Sequence, residues 1–311
     1  MQAVPATALR YLRTPATYGV AAGELKCLET HMSWVFIAGD LVLKLKKPLR
    51  TRYLDHSTLA LREHDCREEL RLNRRLAPEV YLGLTALVRT AEGYRLLPEE
   101  ETEPGEAIDW LVRMRCLPDA LRLDLRIARH QVDTPEIDAL GDHLARFYAA
   151  LPRAPVDGSG YLRRFEREHR LDREVLEDPR WSTPAMRRSL DAYEAALAAQ
   201  SQALAGRAEA GLIVDGHGDL RPEHVFMSTP PVVIDALEFD AALRAVDPYD
   251  ELGFLGLECD IAGAPWIGVR LHARLEALRG AAPEPALMRL YLAGRALLRA
   301  RLALAHLLDR Q

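Results

Sequence analysis

The stretch Asp215-Gly216-His217-Gly218-Asp219-Leu220-Arg221-Pro222-Glu223-His224 decides how this chain is read. Apolar runs flank it, Leu212-Ile213-Val214 before and Val232-Val233-Ile234 after, and the second run ends on Asp235. Two short β-like pieces around so dense a set of polar groups make a rigid platform that holds carboxylates in place. Phosphoryl transfer needs such a set. One carboxylate orients the attacking hydroxyl and takes its proton, a second holds the metal on a triphosphate, and a lysine from elsewhere grips the phosphates.

Upstream of this segment the pattern is sheet-like. Residues 34–37 and 41–46 are apolar runs separated by Gly39-Asp40, a hairpin signal. In the second run Leu41, Leu43 and Leu45 face one way and Val42, Lys44 and Lys46 the other. Pro48 stops that strand. Helical spacing predicts a short helix over 6–12 and a long one over 57–76, with Ser57 as N-cap and Ala77-Pro78 as the stop. Short strands follow over 80–98, turning at Gly93, then an acidic loop over 98–105 and a further strand over 107–114. From Leu117 onward helices dominate: 135–151, 161–176, 182–205 and 285–308, with Gly158-Ser159-Gly160 as a flexible joint. The change from sheet-rich to helix-rich composition places a boundary near 113, hence domains 1–113 and 114–311.

Three ordered motifs carry a resemblance. His217-Gly218-Asp219 with a polar side chain five residues on resembles the H-G/R-D-x-x-x-x-N loop of kinase-like enzymes. Val233-Ile234-Asp235 resembles the metal-binding strand of aminoglycoside and choline kinases. Asp247-Pro248-Tyr249-Asp250-Glu251-Leu252 resembles the D-P-x-x-D-L that follows there. Closer still is a bacterial group of aminoglycoside-phosphotransferase-like proteins sharing an E-T-H-x-S-W-V-F segment, here residues 29–36. The same group shares K-x-K-K-P at 44–48, E-E-L-R-L-N-R-R-L-A-P at 68–78 and I-D-x-x-E-F at 234–239. The likeness covers roughly residues 15 to 260.

The resemblance implies an α+β, two-lobed protein-kinase-like fold, with a small antiparallel-sheet N-lobe plus one long helix and a larger, mainly helical C-lobe. It implies an ATP-dependent phosphotransferase acting on a small hydroxylated or amino-sugar-like acceptor, using ATP or another NTP with Mg2+, or with Mn2+ in its place. Asp219 is then the catalytic base and Asp235 the metal ligand. Lys44 reaches the α- and β-phosphates, with Lys46 the competitor, and Glu69 or its neighbour Glu68 pairs with that lysine. Val112 and Met114 offer backbone groups to the adenine. Thr30, His31 and Ser33 stand where a glycine-rich loop covers the phosphates, though no G-x-G-x-x-G exists. His217 braces the loop backbone, and Asp250 caps or braces the loop.

One departure matters. The second-metal asparagine is His224 here, and imidazole is a poor Mg2+ ligand. His224 is therefore either a ligand of a softer ion or filler, and a nucleotide-binding pseudokinase is the rival reading. A metal-dependent hydrolase built on His217, Asp219, His224 and Asp235 is a third. Lys44, the Glu-bearing helix and the later D-P-x-x-D argue against it, because a hydrolase needs none of them. Some members of the group carry a P-loop ATPase domain afterwards. The 311 residues contain no G-x-x-x-x-G-K-[ST], so that second activity is not expected.

Composition bounds these readings. A net charge of −5 gives no reason to expect nucleic acid as a partner. The four cysteines form no CxxC pair, so neither structural zinc nor a disulfide framework is expected. No apolar run reaches transmembrane length and no signal-peptide core is visible, which gives the expectation of a soluble cytoplasmic protein with no membrane partner and a small-molecule acceptor. Tyr161, Arg164, Glu238 and Asp240 are candidates for the acceptor pocket.

Overall fold

The computed structural model describes residues 3–51 and 53–308, with the backbone alone over 305–308. The chain separates into two compact units. One comprises 1–121 with 232–241, the other 122–231 with 242–311. The composition boundary at 113/114 falls inside a strand, and the short return segment 232–241 belongs to the first unit.

The first unit is a six-stranded antiparallel sheet in the order β1-β2-β3-β6-β4-β5. Its strands are β1 (Leu25–Glu29), β2 (Ser33–Ala38), β3 (Leu41–Lys46), β4 (Tyr81–Thr90), β5 (Gly93–Pro98) and β6 (Ala107–Arg115). The Gly39-Asp40 turn joins β2 to β3 with Ala38 opposite Leu41, and Gly39 takes φ 57°, a left-handed conformation open to glycine. The alternation read in β3 sorts the sheet's two faces. Leu43 and Leu45 pack with Phe36, Leu87 and Leu111 beneath α1 (Ala6–Leu12). Val42 packs on the opposite face, where α2 (Leu59–Asn73) lies.

Helix α2 starts at Thr58 rather than Ser57, because the Thr58 hydroxyl accepts from the Leu61 N–H. Arg62, one turn in, donates two-pronged to Asp109 of β6 at 2.8–3.1 Å, both side chains buried. Such a fork fixes the helix's rotation on the sheet. Cys66 and Leu70 fill the space below it.

The second unit is mainly helical: α3 (Leu123–Ala128), α4 (Thr134–Ala150), α5 (Gly158–Leu176), α6 (Pro184–Ala199) and α7 (Ser201–Glu209). The short strands β7 (Val214–Asp215) and β8 (Val225–Phe226) frame the polar loop, and β9 (Val232–Val233) begins the return segment. The one-turn α8 (Ala241–Arg244) leads into β10 (Ala245–Val246), then α9 (Pro248–Ile261), α10 (Trp266–Arg279) and α11 (Pro285–Leu308). Gly158-Ser159-Gly160 is no joint. Asp157 caps it, its carboxylate accepting from the Gly160 N–H at 2.6 Å, so these residues form the first turn of α5. The single helix expected over 182–205 breaks at Gln200 into α6 and α7. Helices α9 and α10 cross at Gly256 and Gly268, where a Cβ on either would stand 2.8 Å from the other's Cα. Tyr161, Phe165, Tyr193, Leu290 and Tyr291 lie in the core shared by α5, α6 and α11.

Candidate active-site residues

Strand β3 and helix α2 present an ion network in the first unit. The Lys44 Nζ lies 2.9 Å from Glu69 Oε1 and 2.7 Å from Asp235 Oδ1. The Lys46 Nζ lies 2.8 Å from Glu69 Oε2 and also pairs with Glu238. Glu69, and not Glu68, is the carboxylate that meets both lysines. Glu69 shares a helix face with buried Cys66 and Asn73, whereas Glu68 pairs with exposed Arg71. Lys44 and Lys46 divide one carboxylate, but only Lys44 keeps access to solvent, its side chain 16% exposed against 1% for Lys46.

Burial acts against charge on Lys44, yet Asp235 and Glu69 outweigh it and hold the ammonium well above the ordinary lysine value. The same contest, with Glu238 and Glu69 as counter-ions, raises Lys46. Glu69 is the mirror case: burial pushes it up, and the two lysines bring it below its usual value. All three are therefore charged across neutral pH.

Asp235 is placed by its backbone. Its φ is 65°, uncommon for a residue with a side chain, though Asp is among those that tolerate it. The Asp235 N–H donates to the Tyr81 hydroxyl at 3.1 Å, and the Ala236 N–H to Asn73 Oδ1 at 2.8 Å. Asn73 is held in turn by its own donation to the Glu69 carbonyl. The Asp235 carboxylate remains 44% exposed.

Two expected nucleotide contacts need correction. Val112 and Met114 lie in β6, which is bordered by β3 and β4, and their side chains belong to the core. Backbone groups of an interior strand are spent on its neighbours, so these two residues have none to offer an adenine. His31 lies in the tight β1–β2 turn, closed by Thr30 N–H to Ser33 O at 2.9 Å and Ser33 N–H to the Thr30 hydroxyl at 2.9 Å. Ser33 itself is buried and opposite Lys46 in the ladder.

The second unit carries the polar loop. Gly218 has φ 88°, and a Cβ on Gly216 would stand 2.7 Å from Glu251 Oε2 and 2.5 Å from Val246 Cγ2. Both positions demand glycine, which lets the backbone close on Glu251. That buried carboxylate accepts from Gly218 N–H at 2.6 Å, from His217 N–H at 3.1 Å and from the Tyr148 hydroxyl at 2.8 Å. Bracing therefore falls to Glu251. Asp250 instead forms a two-pronged pair with Arg295 at 2.7–2.8 Å.

His217 accepts the Asp219 N–H on Nδ1 at 3.3 Å. The Asp219 carbonyl lies 2.8 Å from His224 Nδ1 and can only accept, so the proton sits on that nitrogen. His224 Nε2 then faces Arg221 Nη2 at 3.4 Å. A lone pair turned toward a guanidinium is poorly placed for a divalent cation, so His224 does not fit a metal ligand in this arrangement. The Asp219 carboxylate pairs with Arg221 at 3.2 Å, and Arg221 with Glu223 at 2.9 Å.

Among the described residues no group of three or more His, Cys, Asp or Glu side chains could hold a metal ion. A magnesium ion carried in on a triphosphate needs only one or two protein carboxylates. Asp235, beside Lys44 and half open, fits that demand.

Several solved structures resemble the whole chain. A glucosamine kinase aligns with TM-score 0.51 and 17% identity, over 91% of this chain and 71% of that one. The chain has the protein-kinase-like fold. An ADP-bound aminoglycoside phosphotransferase (TM-score 0.47, 16% identity, 92% and 86% of the two chains) and a choline/ethanolamine kinase family protein from Mesorhizobium loti (0.48, 15%, 98% and 86%) also align. No family model matches the chain. Uncharacterized proteins of Mycobacterium tuberculosis and Mycobacterium bovis are 31% identical over 284 residues, 88% of this chain and 53% of theirs. The chain thus spans about half the length of the curated relatives it matches. Among the described residues no helix is long and apolar enough to cross a membrane.

Three residues central to this geometry carry no role in the motif reading: Glu251, Asn73 and Tyr81. Glu251 adjoins the aspartates of D-P-x-x-D, and the Gly216–Gly218 pair signals a backbone pressed against something. The acceptor-pocket candidates are largely occupied. Glu238 pairs with Lys46, the Tyr161 hydroxyl accepts from Asp247 N–H at 3.3 Å, and Arg164 donates to Ala245 O at 2.6 Å.

Proposed function

We propose that this protein is an ATP-dependent phosphotransferase acting on a small hydroxylated or amino-sugar-like acceptor. The reading is carried by the Lys44–Glu69–Asp235 arrangement, an ammonium fixed by a helix carboxylate and placed 2.9 Å and 2.7 Å from the two acids. In this reading the lysine charge meets the phosphates, and Asp235 holds the Mg2+ or Mn2+ that the nucleotide brings. A metal held there would neutralise charge on the phosphates. Asp219 orients the acceptor hydroxyl and takes its proton. Its main chain is gripped from both sides by His217 and His224, so the carboxylate is aimed by the loop and not by its own flexibility. Adenine contacts come from the chain after Arg115, since β6 has none to give. The name of one structural neighbour, glucosamine kinase, supports including amino sugars among the acceptors tried first.

An acceptor screen with γ-labelled ATP, run beside Asp219→Asn, tests this. The substitution should lower transfer by several orders of magnitude while nucleotide affinity stays within a few-fold, because the base acts mainly in the transition state. Equal rates for the two proteins overturn the assignment of Asp219.

A second reading has its own observation. His224 serves the loop backbone and not a metal, so one metal site of the kinase pattern is unprovided for. A pseudokinase would bind Mg·ATP tightly and consume none of it with any acceptor, and that result would favour the regulatory role.

A further inference from the structure

Lys46 and Glu238 have no part in the chemistry just described, yet they are the most enclosed members of the same network. Exposure runs in one direction through it. The Asp235 and Lys44 side chains are 44% and 16% exposed, Glu238 10%, Lys46 1% and Glu69 0%. One end is open to a ligand and the other is sealed. Glu69 spans both, giving one oxygen to each lysine.

Each lysine in turn takes one acid from the same return segment, Asp235 for Lys44 and Glu238 for Lys46. Nothing in the phosphate-gripping role of Lys44 requires a second ammonium beneath it. A buried lysine is costly unless paired, and this one is paired twice. The doubling fits a different task. Asp235 sits at a φ rarely taken by residues with side chains, and such a conformation persists only when the surroundings over-determine it. Tyr81 and Asn73 tie down the N–H groups of 235 and 236. The Glu238–Lys46 pair ties the chain three residues further on.

We propose that Glu238 and Lys46 are positioning residues that set the Asp235 carboxylate for the metal on the nucleotide. This rests on the reading of Asp235 given above. Outer partners of metal-binding carboxylates commonly change metal affinity by about 10–100-fold when lost. The pair is therefore part of the metal site without touching the metal.

The test is calorimetric binding of a non-hydrolysable ATP analogue over a range of Mg2+ concentrations. Glu238→Gln should leave metal-free analogue binding within about twofold and raise the half-saturating Mg2+ about tenfold. Lys46 keeps Glu69 in that variant, so the fold should survive. Glu238→Asp retains the charge and should fall between wild type and Gln, which carries the test should the Gln protein fail to fold. Asp235→Asn should abolish the Mg2+-dependent gain. If it does so while both Glu238 variants titrate Mg2+ like wild type, the positioning role is overturned and the metal reading stands. If Asp235→Asn keeps the gain, the metal reading falls and takes this inference with it.

Discussion

Glu69 in the first unit and Glu251 in the second are both buried carboxylates, 0% and 1% exposed, at the heart of the proposed chemistry. They are held in opposite ways. Glu69 is met by two ammonium groups, one on each oxygen. Glu251 is met by two backbone N–H groups and a tyrosine hydroxyl, with dipoles in place of counter-ions. The first arrangement puts charge where a ligand can use it. The second spends a charge to hold a loop's shape. An isosteric amide separates the two, because glutamine keeps size and one acceptor while losing charge.

The largest effect is expected at Glu69. In Glu69→Gln one buried ammonium keeps the carbonyl oxygen, and the other meets an NH2 donor. Breaking a buried pair from one side costs about 3–5 kcal/mol. Chemical unfolding of the variant against wild type measures this. Because the Glu69 pKa is depressed in the folded state, its stabilisation is fully present above the ordinary carboxylate value and fades only as pH falls through the folded value. The gap between the two proteins should therefore be flat through neutral pH and close in acid. A gap below about 1 kcal/mol at pH 7 would mean that the two lysines are satisfied without Glu69.

At Glu251 the same change should be milder. A glutamine oxygen can accept both the His217 and Gly218 N–H groups, and its NH2 can donate to the Tyr148 oxygen once that hydroxyl rotates. What is lost is the charge assistance, about 1–2 kcal/mol. Glu251→Ala orphans all three donors and should cost more than Gln. Equal costs for Gln at 69 and 251 would erase the distinction between the two regions.

The difference also explains what could be read from the sequence. Lys44, Glu69 and Asp235 stand at motif positions, although strand alternation puts Lys44 and Lys46 on one face and leaves the choice between them, and between Glu68 and Glu69, open. The sheet-then-helix order and the Gly39-Asp40 hairpin were legible for the same local reason. Glu251 was not legible, because a carboxylate that serves backbone amides leaves no partner residue type to look for. Asp250, its neighbour, looks equivalent in sequence and faces Arg295 instead. The Asp157 cap on Gly158-Ser159-Gly160 is by contrast a local signal, an N-cap residue three positions before the amide it accepts, which the glycines masked. That an interior strand withholds the backbone of Val112 and Met114 depends on which strands come to lie alongside.

Asp172 supplies the limiting case, a buried carboxylate with one shared counter-ion. It is 3% exposed, its Oδ1 has no hydrogen-bond partner, and Arg301 approaches at 3.2 Å while also serving Glu168 at 2.7 Å. Burial pushes its pKa up to about 7, with Arg301 opposing and Glu168 adding to the rise. A carboxyl raised in the folded state favours folding while protonated. Its contribution is whole below the unfolded value near 4 and is lost as pH climbs through about 7. Asp172→Asn removes that loss, since the amide never ionises and Arg301 retains Glu168. The shift from near 4 to about 7 makes the variant gain about 4 kcal/mol on wild type between pH 4 and pH 8, while the altered partnership of Arg301 lowers it at both pH values alike. The melting temperature of the variant relative to wild type should therefore rise by several degrees from pH 4 to pH 8. A gain of the same size at both pH values would show that the advantage comes from packing and not from a carboxylate ionised without adequate partners.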